Sequence, residues 1–415
     1  MILGNILALA ALTSSALAAP ASQSATSSRI IPGSYIITLK ENVEARAMQA
    51  HINWVGAVHK RSIKKRDTTG VAIEYAGTFK GYAGSFDEDT IAQIRDHPDV
   101  VNVEQDKMWH LAYQKPSQQP IRRAGLVNQK RAPYGLGSVS HRTADIWEYI
   151  YDATAGHDTY AYVLDTGIRI THNEFQGRAK NVYTAFPGQW NDTHGHGTHV
   201  SGTIIGNEFG VAKNATALSV KVFEGEDSPT STILGGYNWA VNDIIANNRQ
   251  NSSVINMSLE GEESQAYNDA LEKAYKAGIL SVVAAGNKAK DASNVSPASS
   301  PYAFTVGAVD RDWIFAEEYS NYGKALDILG PGTDVLSAWN DGDGMSRVIS
   351  GTSMATPHIV GLALYAMSIY NIHGPKAITD FILSTATKGA ATGSLQGSPN
   401  LIGNNNNKLQ PSRKP

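Results

Sequence analysis

The sequence predicts an α/β protein with a mostly parallel central sheet covered by helices on both faces. A small α+β domain of ferredoxin-like type is predicted to precede it. After about residue 132, continuous apolar strands such as those in "TYAYVLDTG" and "SSVINMSL" alternate with helical segments, which is typical of a buried parallel sheet. Before about residue 111, strand and helix patterns follow the order βαββαβ. A chain of 415 residues is long enough for both domains.

The elements of the small domain follow one another between about residues 31 and 111. The strand-like segment "SYIITLK" precedes helical spacing of apolar residues over 42–55, two further strand-like segments, a helix over 87–97 and the short strand "DVVNVEQ". Residues 112–131 are polar and basic, with two dibasic pairs and no apolar period, which predicts an exposed linker that proteases can reach. The final "NNNNKLQPSRKP" has the composition of a disordered polar tail.

The first 18 residues have the order of a secretory signal peptide. The apolar run over 2–12 is too short to span a bilayer, and Ala16-Leu17-Ala18 forms a small-x-small cleavage pattern. A buried N-terminal helix is the alternative interpretation. We therefore predict a secreted, extracellular protein, with a vacuolar destination as the alternative.

Composition excludes several other classes of protein. The formal net charge of −3 gives no electrostatic case for binding nucleic acid or an anionic membrane. No later stretch approaches the roughly 20 apolar residues of a membrane span. The absence of cysteine excludes disulfides, a cysteine nucleophile and thiolate metal sites. Nothing in the sequence requires more than a monomer.

Three polar clusters hold the residue types that hydrolysis by a serine requires: a hydroxyl, a base for its proton and a carboxylate that orients the base. Asp165 in "VLDTGI" follows a predicted buried strand, and His196 lies in the glycine-rich "HGHGTH". Ser353 in "SGTSMATPHIVG" opens an apolar helix, where the positive end of the helix dipole favours a developing oxyanion. A G-x-S-x-G nucleophile elbow is excluded because position 355 is alanine.

The blocks "VLDTGI", "HGHGTHVSGT", "VVAAGN" and "SGTSMATPHIVG" resemble the signature blocks of subtilisin-like serine proteases, and more closely those of the fungal proteinase K branch. The chain order Asp, His, Ser is the subtilisin order. The resemblance covers residues 132 to about 403 as the protease and about 34–111 as an inhibitor-like prosegment. It implies a serine endopeptidase of broad specificity that is made as a zymogen and acts on proteins and peptides.

The resemblance also implies a role for each matching residue. Ser353 matches the nucleophile, His196 the general base and later acid, and Asp165 the carboxylate that orients His196. Asn287 matches the side-chain donor of the oxyanion hole, beside the backbone N–H of Ser353. In relatives the substrate lies as an extended strand along wall segments. The matching residues here are Ser258, Leu259, Glu260, Gly261, Ala284, Ala285 and Gly286.

Each motif has a plainer alternative when it is taken alone. Asp165 could lie in a turn, Ser353 could be a helix cap and Asn287 an ordinary loop residue. His196 and His199, at i and i+3 on a helix, could bind a metal with His194 or Asp192, as in a metallohydrolase. A catalytically silent binding or inhibitor protein on the same fold is a further alternative.

Two acidic segments depart from the family pattern beside the predicted cleft. Glu260 stands where relatives usually have glycine, and residues 226–230 read Glu-Asp-Ser-Pro-Thr where relatives often have a Gly/Ser run. One hypothesis is that these acids favour basic side chains in the substrate. The alternative is that the carboxylates point to solvent.

The resemblance further implies a structural Ca²⁺ ion, for which oxygen ligands are suited. The matching ligands are the backbone carbonyls of Pro301 and Ala303 and the carboxylate of Asp327. The alternative is that Asp327 only caps a turn. No organic cofactor is implied. Glycosylation sequons with suitable context predict modification at Asn191, Asn214 and Asn251.

The prosegment is expected to act as an intramolecular chaperone, to occupy the cleft as an inhibitor and then to be cut away. Because "GLVNQKRAPYGLG" resembles a mature N-terminus, we expect cleavage near Arg123–Ala124. The predicted division is a signal peptide over 1–18, a propeptide over 19–123, a peptidase domain over 124–403 and a polar tail over 404–415.

Overall fold

The computed structural model describes residues 30–61, 68–114, 121–122, 129–407 and 409. The predicted signal peptide and the expected cleavage at Arg123–Ala124 lie outside these ranges. The helices are α1 (Ala45–Arg61), α2 (Glu88–Arg95), α3 (Tyr134–Ser138), α4 (His196–Ile205), α5 (Thr230–Ala246), α6 (Gln265–Lys276), α7 (Thr352–Tyr370) and α8 (Pro375–Thr385). Among them, no helix is both long enough and apolar enough to cross a membrane.

The strands fall into a small N-terminal group and a larger group that follows it. The first group is β1 (Ile30–Leu39), β2 (Gly70–Tyr75), β3 (Gly81–Ser85), β4 (Val100–Leu111) and β5 (Ile121–Arg122). The second is β6 (Tyr160–Asp165), β7 (Ala179–Thr184), β8 (Thr216–Lys221), β9 (Asp227–Pro229), β10 (Ser253–Met257), β11 (Leu259–Glu262), β12 (Leu280–Ala284), β13 (Val295–Ser296), β14 (Phe304–Val309), β15 (Ile328–Pro331), β16 (Val335–Ala338), β17 (Met345–Ile349), β18 (Thr387–Lys388) and β19 (Leu401–Ile402).

The N-terminal domain has the predicted ferredoxin-like arrangement. Its strands run antiparallel in the order β4-β1-β3-β2, with α1 between β1 and β2 and α2 between β3 and β4. Apolar residues of both helices share one core with the strands, including Ile37, Val55, Tyr82 and Ile94. The carboxylate of Asp87 caps α2 by accepting from the N–H of Thr90, as expected for an acidic helix start.

The large domain is built on a nine-stranded sheet in the order β18-β19-β15-β14-β12-β10-β6-β8-β7. All neighbouring pairs from β19 to β7 are parallel, and only β18 at the edge runs antiparallel. Helices α4 and α7 belong to the core on one side of the sheet, and α5 and α6 to a second core. The predicted α/β class is confirmed, and every residue of β10, β12 and β14 is buried.

The two domains share a strand pairing. The carboxyl end of β4 is antiparallel to β11 on one side and to β9 on the other. A strand of the N-terminal domain therefore lies between two strands of the large domain, which is the geometry of β-strand addition.

The C-terminal asparagines differ from the disordered tail that composition predicts. Asn404 and Asn405 are each only 2 % exposed. The side-chain amides of Asn404, Asn405 and Asn407 donate to the backbone carbonyls of His141, Ile150 and Ser140, respectively. The prediction of disorder from composition was wrong for these asparagines because amide side chains can pair with backbone carbonyls as well as with water.

Candidate active site

The carboxyl ends of three neighbouring strands bring the predicted polar residues together. Asp165 ends β6, Ser258 directly follows β10, and Asn287 lies three residues beyond β12. Because β12, β10 and β6 are adjacent and parallel in the sheet, these residues lie close together beyond the carboxyl ends of the strands.

His196 is the first residue of α4, and its ring faces Asp165. Its Nδ1 lies 2.8 Å from Oδ1 and 2.9 Å from Oδ2 of Asp165, and both side chains are fully buried. A Cβ on Gly197 would lie 2.1 Å from the carbonyl oxygen of Gly167. The glycine after His196 is therefore required for the helix to approach Asp165 so closely.

Asp192 holds the start of α4, a role that sequence analysis missed. Its carboxylate accepts from the backbone N–H groups of His194, Gly195 and Thr198 and from the Thr198 hydroxyl. The signal in the sequence was an aspartate just before a helix, a position that favours negative charge. Asp192 thus pairs with the polar groups around the start of α4 and holds His196, the first residue of that helix, in position.

Ser353 is the second residue of α7. Its backbone N–H donates to the carbonyl oxygen of Ala112 over 2.9 Å, and its hydroxyl donates to the carbonyl oxygen of Ser258 over 2.9 Å. At Gly351, which caps the helix, a Cβ would lie 2.7 Å from the Ala112 oxygen. Glycine therefore leaves room for a carbonyl at the start of α7.

Asn287 presents a buried amide to the same place. Its Oδ1 accepts from the backbone N–H and the hydroxyl of Thr352 over 2.9 and 2.8 Å. Its Nδ2 is buried without a partner among the described residues, and it lies 3.0 Å from where a Gly351 Cβ would stand. The Ala112 oxygen occupies the same neighbourhood, so Nδ2 is a donor held beside that carbonyl.

The other two histidines are not metal ligands alongside His196. Nε2 of the buried His199 donates to the carbonyls of Val335 and Arg347, and burial lowers the pKa of His199 to about 3. His194 lies at the entrance of the cleft, where its Nε2 is 3.0 Å from the Tyr113 hydroxyl. Within the described ranges, the group of side chains close enough to share an ion lies in the N-terminal domain instead. The metallohydrolase interpretation of this cluster is therefore wrong.

The chain's own segment 109–113 fills the cleft, as expected for an inhibitory prosegment, although sequence analysis did not predict which residues would do so. Leu111 pairs with Leu259 and His110 with Glu260, and the N–H of Ala112 donates to the carbonyl of Ser258. The ring of Tyr113 then packs against His196 with centroids 5.0 Å apart. The peptide group between Ala112 and Tyr113 thus lies between Ser353 and His196.

The acidic residues near the cleft have different surroundings. The alternative in which Glu260 points to solvent is wrong, because Glu260 is 4 % exposed and its Oε1 accepts from the N–H of Asn287 over 2.9 Å. Burial raises its pKa. Glu226 accepts from the Tyr113 hydroxyl over 2.8 Å, and Asp227 is paired with His110.

The remaining predicted site residues lie apart from this cleft. Oδ2 of Asp327 accepts from the N–H of Thr305 over 2.7 Å, and burial raises the pKa of Asp327 to about 6. Pro301 and Ala303 belong to the turn that leads into β14, which contains Thr305. Asn191, Asn214 and Asn251 are exposed, as glycosylation requires.

Together, the parallel sheet, the buried Asp–His pair and the strand in the cleft define a hydrolase of the serine endopeptidase class, with its prosegment in place. Comparison with protein families agrees. Residues 156–404 match the subtilase family, and residues 34–112 match the peptidase inhibitor I9 family. The chain belongs to the subtilase family and carries an I9 prosegment.

Individual relatives match most of the chain. The chain is 49 % identical over 408 residues to Alkaline protease 1 of Aspergillus clavatus, covering 97 % of this chain and 98 % of the relative. It is 48 % identical over 393 residues to the alkaline proteinase of Hapsidospora chrysogena, covering 94 % and 96 %. A crystal structure of a cold-adapted subtilisin-like serine proteinase superimposes with a TM-score of 0.60 at 34 % identity, covering 66 % of this chain and 97 % of that one.

Proposed function

We propose that this protein is a secreted serine endopeptidase zymogen that cleaves peptide bonds through Asp165, His196 and Ser353. The observation that carries the proposal is the carbonyl of Ala112, which accepts the backbone N–H of Ser353 while its strand pairs with both cleft walls. A substrate bound like this strand would present its carbonyl carbon to the Ser353 hydroxyl.

The proposed chemistry divides hydrolysis into two steps. The Ser353 oxygen attacks the carbonyl carbon as His196 Nε2 takes the hydroxyl proton, and Asp165 stabilises the resulting imidazolium. The C–N bond then breaks, and His196 returns the proton to the leaving amine. Water, activated in turn by His196, hydrolyses the acyl-enzyme. His196 Nε2 is buried without a partner among the described residues, which leaves it available for the proton.

The negative charge that develops on the carbonyl oxygen needs donors that are already in place. The Ser353 N–H and Asn287 Nδ2 are the proposed oxyanion hole. Thr352 supports this assignment because its two bonds to Asn287 Oδ1 turn the amide nitrogen toward the cleft. In subtilisin, the relative for which such a donor is best known, its loss costs about 10²–10³ in turnover.

The prosegment is proposed to inhibit the enzyme by binding as a substrate does and to assist folding by supplying a strand to β9 and β11. Its main-chain bonds to the cleft walls carry no sequence information, which supports broad specificity along most of the cleft. The Ser353 hydroxyl is bonded to the Ser258 carbonyl, so it must turn away from that carbonyl before it can attack.

Labelling separates this function from its alternatives. The matured protein is treated with a serine-directed phosphonyl fluoride and, in parallel, with a zinc chelator. We expect labelling of Ser353 with loss of proteolysis, and no labelling of a Ser353→Ala variant. Proteolysis that is lost only with the chelator would overturn the proposal, and absence of any proteolysis would favour a silent binding protein.

We also propose that Pro301, Ala303 and Asp327 hold a structural Ca²⁺. In the described part of the chain Asp327 forms no ion pair, and its desolvated carboxylate would gain a counter-ion. EDTA is therefore expected to lower the Tm of the Ser353→Ala protein, with recovery on adding Ca²⁺. An Asp327→Asn variant should lose most of this response. A Tm that EDTA does not change would rule the site out.

A further inference from the structure

We propose that Glu260 restricts cleavage to bonds that follow a small residue. The acyl-side residue is defined as the one whose carbonyl is attacked, and Ala112 occupies its position here. This inference rests on the proposed function and adds a specificity that the main-chain pairing does not supply. The residue responsible is Glu260, whose side chain lies on the side of the cleft that Ala112 faces.

The strand register places Ala112 and Glu260 on the same face. His110 lies opposite Glu260, and Leu111 lies opposite Leu259. Side chains of residues directly opposite each other share a face, and faces alternate along each strand. Ala112, two residues beyond His110, therefore directs its methyl group to the face on which the Glu260 side chain stands.

The Glu260 side chain spans from one cleft wall to the other. It begins on β11, and its Oε1 accepts from the backbone N–H of Asn287 over 2.9 Å. A Cβ on Gly286 would lie 2.6 Å from Oε2, so the carboxylate is packed directly against that glycine. With Ala112 in place, Glu260 is 4 % exposed and Ala112 is fully buried. The Ala112 methyl and the Glu260 carboxylate are thus both buried on one face of the cleft, and a longer side chain in place of Ala112 would extend toward the carboxylate.

The position of the carboxylate also disfavours the hypothesis that it attracts basic residues. Lys or Arg on the acyl-side residue would have to displace Glu260 from the Asn287 N–H, which belongs to the residue that supplies the oxyanion donor. An acidic residue would meet like charge in a site with little water. Leu or Phe would extend into the volume that Glu260 occupies, and a single methylene in a tight pocket already changes selectivity about 10–200-fold.

The test measures kcat/KM of the matured enzyme on peptides that differ only in the acyl-side residue: Ala, Leu, Phe, Lys or Glu. For the unmodified enzyme we expect a preference for Ala over Phe of at least about tenfold. Glu260→Gly should remove or reverse that preference. Glu260→Gln, which keeps the volume, should retain it. Glu262→Gly on the same strand is the matched control, since the Glu262 carboxylate lies near Lys107, and it should leave the ratio unchanged.

The ratio of Ala to Phe cleavage is the readout because any general loss of activity in a variant cancels from it. Active enzyme is counted by phosphonyl fluoride labelling of Ser353. An unmodified enzyme that prefers Lys or Phe over Ala would overturn the inference, as would a Glu260→Gly variant with an unchanged ratio. Failure of the proposed function is distinguishable, because Ser353 would then stay unlabelled and none of the peptides would be cut.

Discussion

The inner cleft and the cleft rim contain similar residue types, but their polar side chains differ in burial and in hydrogen-bond partners. The inner cleft is defined as Asp165, His196, Asn287 and Ser353. Asp165, His196 and Ser353 are fully buried, and Asn287 is half-buried with its Nδ2 atom inaccessible to solvent. The cleft rim, defined as His194, Glu226 and Asp227, is partly open to solvent. At the rim, Tyr113 and His110 of the bound segment engage the acids. In the inner cleft, His196 Nε2 and Asn287 Nδ2 have no partner among the described residues.

This difference distinguishes groups that hold the prosegment from groups that can act on a peptide bond. A buried polar atom without a partner costs free energy, so its persistence calls for an explanation. In the proposed mechanism, a reacting proton would supply the missing interaction to His196 Nε2, and an oxyanion would supply it to Asn287 Nδ2. The rim residues already have partners in the bound segment, and their expected contribution is to affinity.

Replacing one histidine of each region by alanine should produce the largest difference in kcat between the two regions. His196→Ala is expected to lower kcat by about 10⁶, the scale known for the subtilisin triad, because no base remains for the Ser353 proton. His194→Ala should retain most of the turnover. The kcat of both variants is measured on one peptide substrate, after circular dichroism has shown that each variant is folded. Comparable losses in the two variants would remove the distinction between the regions.

Loss of the oxyanion donor should have an intermediate effect. Asn287→Ala is expected to reduce kcat by about 10²–10³ with little change in KM, since the donor matters most when charge develops on the oxygen. Steady-state kinetics on a peptide substrate separates the two parameters. A raised KM at unchanged kcat would instead assign Asn287 to ground-state binding.

The smallest effect is expected at the rim. The His110–Asp227 pair is partly exposed, and such pairs contribute little after screening by solvent and salt. In the uncleavable Ser353→Ala background, His110→Ala should speed hydrogen exchange of the Leu111 amide about two- to fivefold. Added salt should reduce the difference from the parent. An unchanged rate would show that the pair does not hold the strand.

Sequence patterns predicted the sheet and singled out Asp165, His196 and Ser353 because each lies in a local motif with a physical reason, whereas Asn287 was implied by the family resemblance. Asp165 ends an apolar strand, and His196 is followed by a glycine that allows close approach. Glu260 could not be located in the same way, since acidic side chains are usually exposed and only the pairing with His110 shows which face it takes. Likewise, the position of Ala112 depends on contacts between residues far apart in the chain.

The amides of Asn404, Asn405 and Asn407 bind carbonyls close to the beginning of the peptidase domain, in a chain without cysteine. They fasten the two ends of the domain to each other without a covalent link. Trimming the chain before Asn404 would leave the carbonyls of Ser140, His141 and Ile150 without these donors, so damage by a carboxypeptidase would loosen the opposite end as well. Each terminus therefore protects the other from the proteolytic surroundings in which such an enzyme would work.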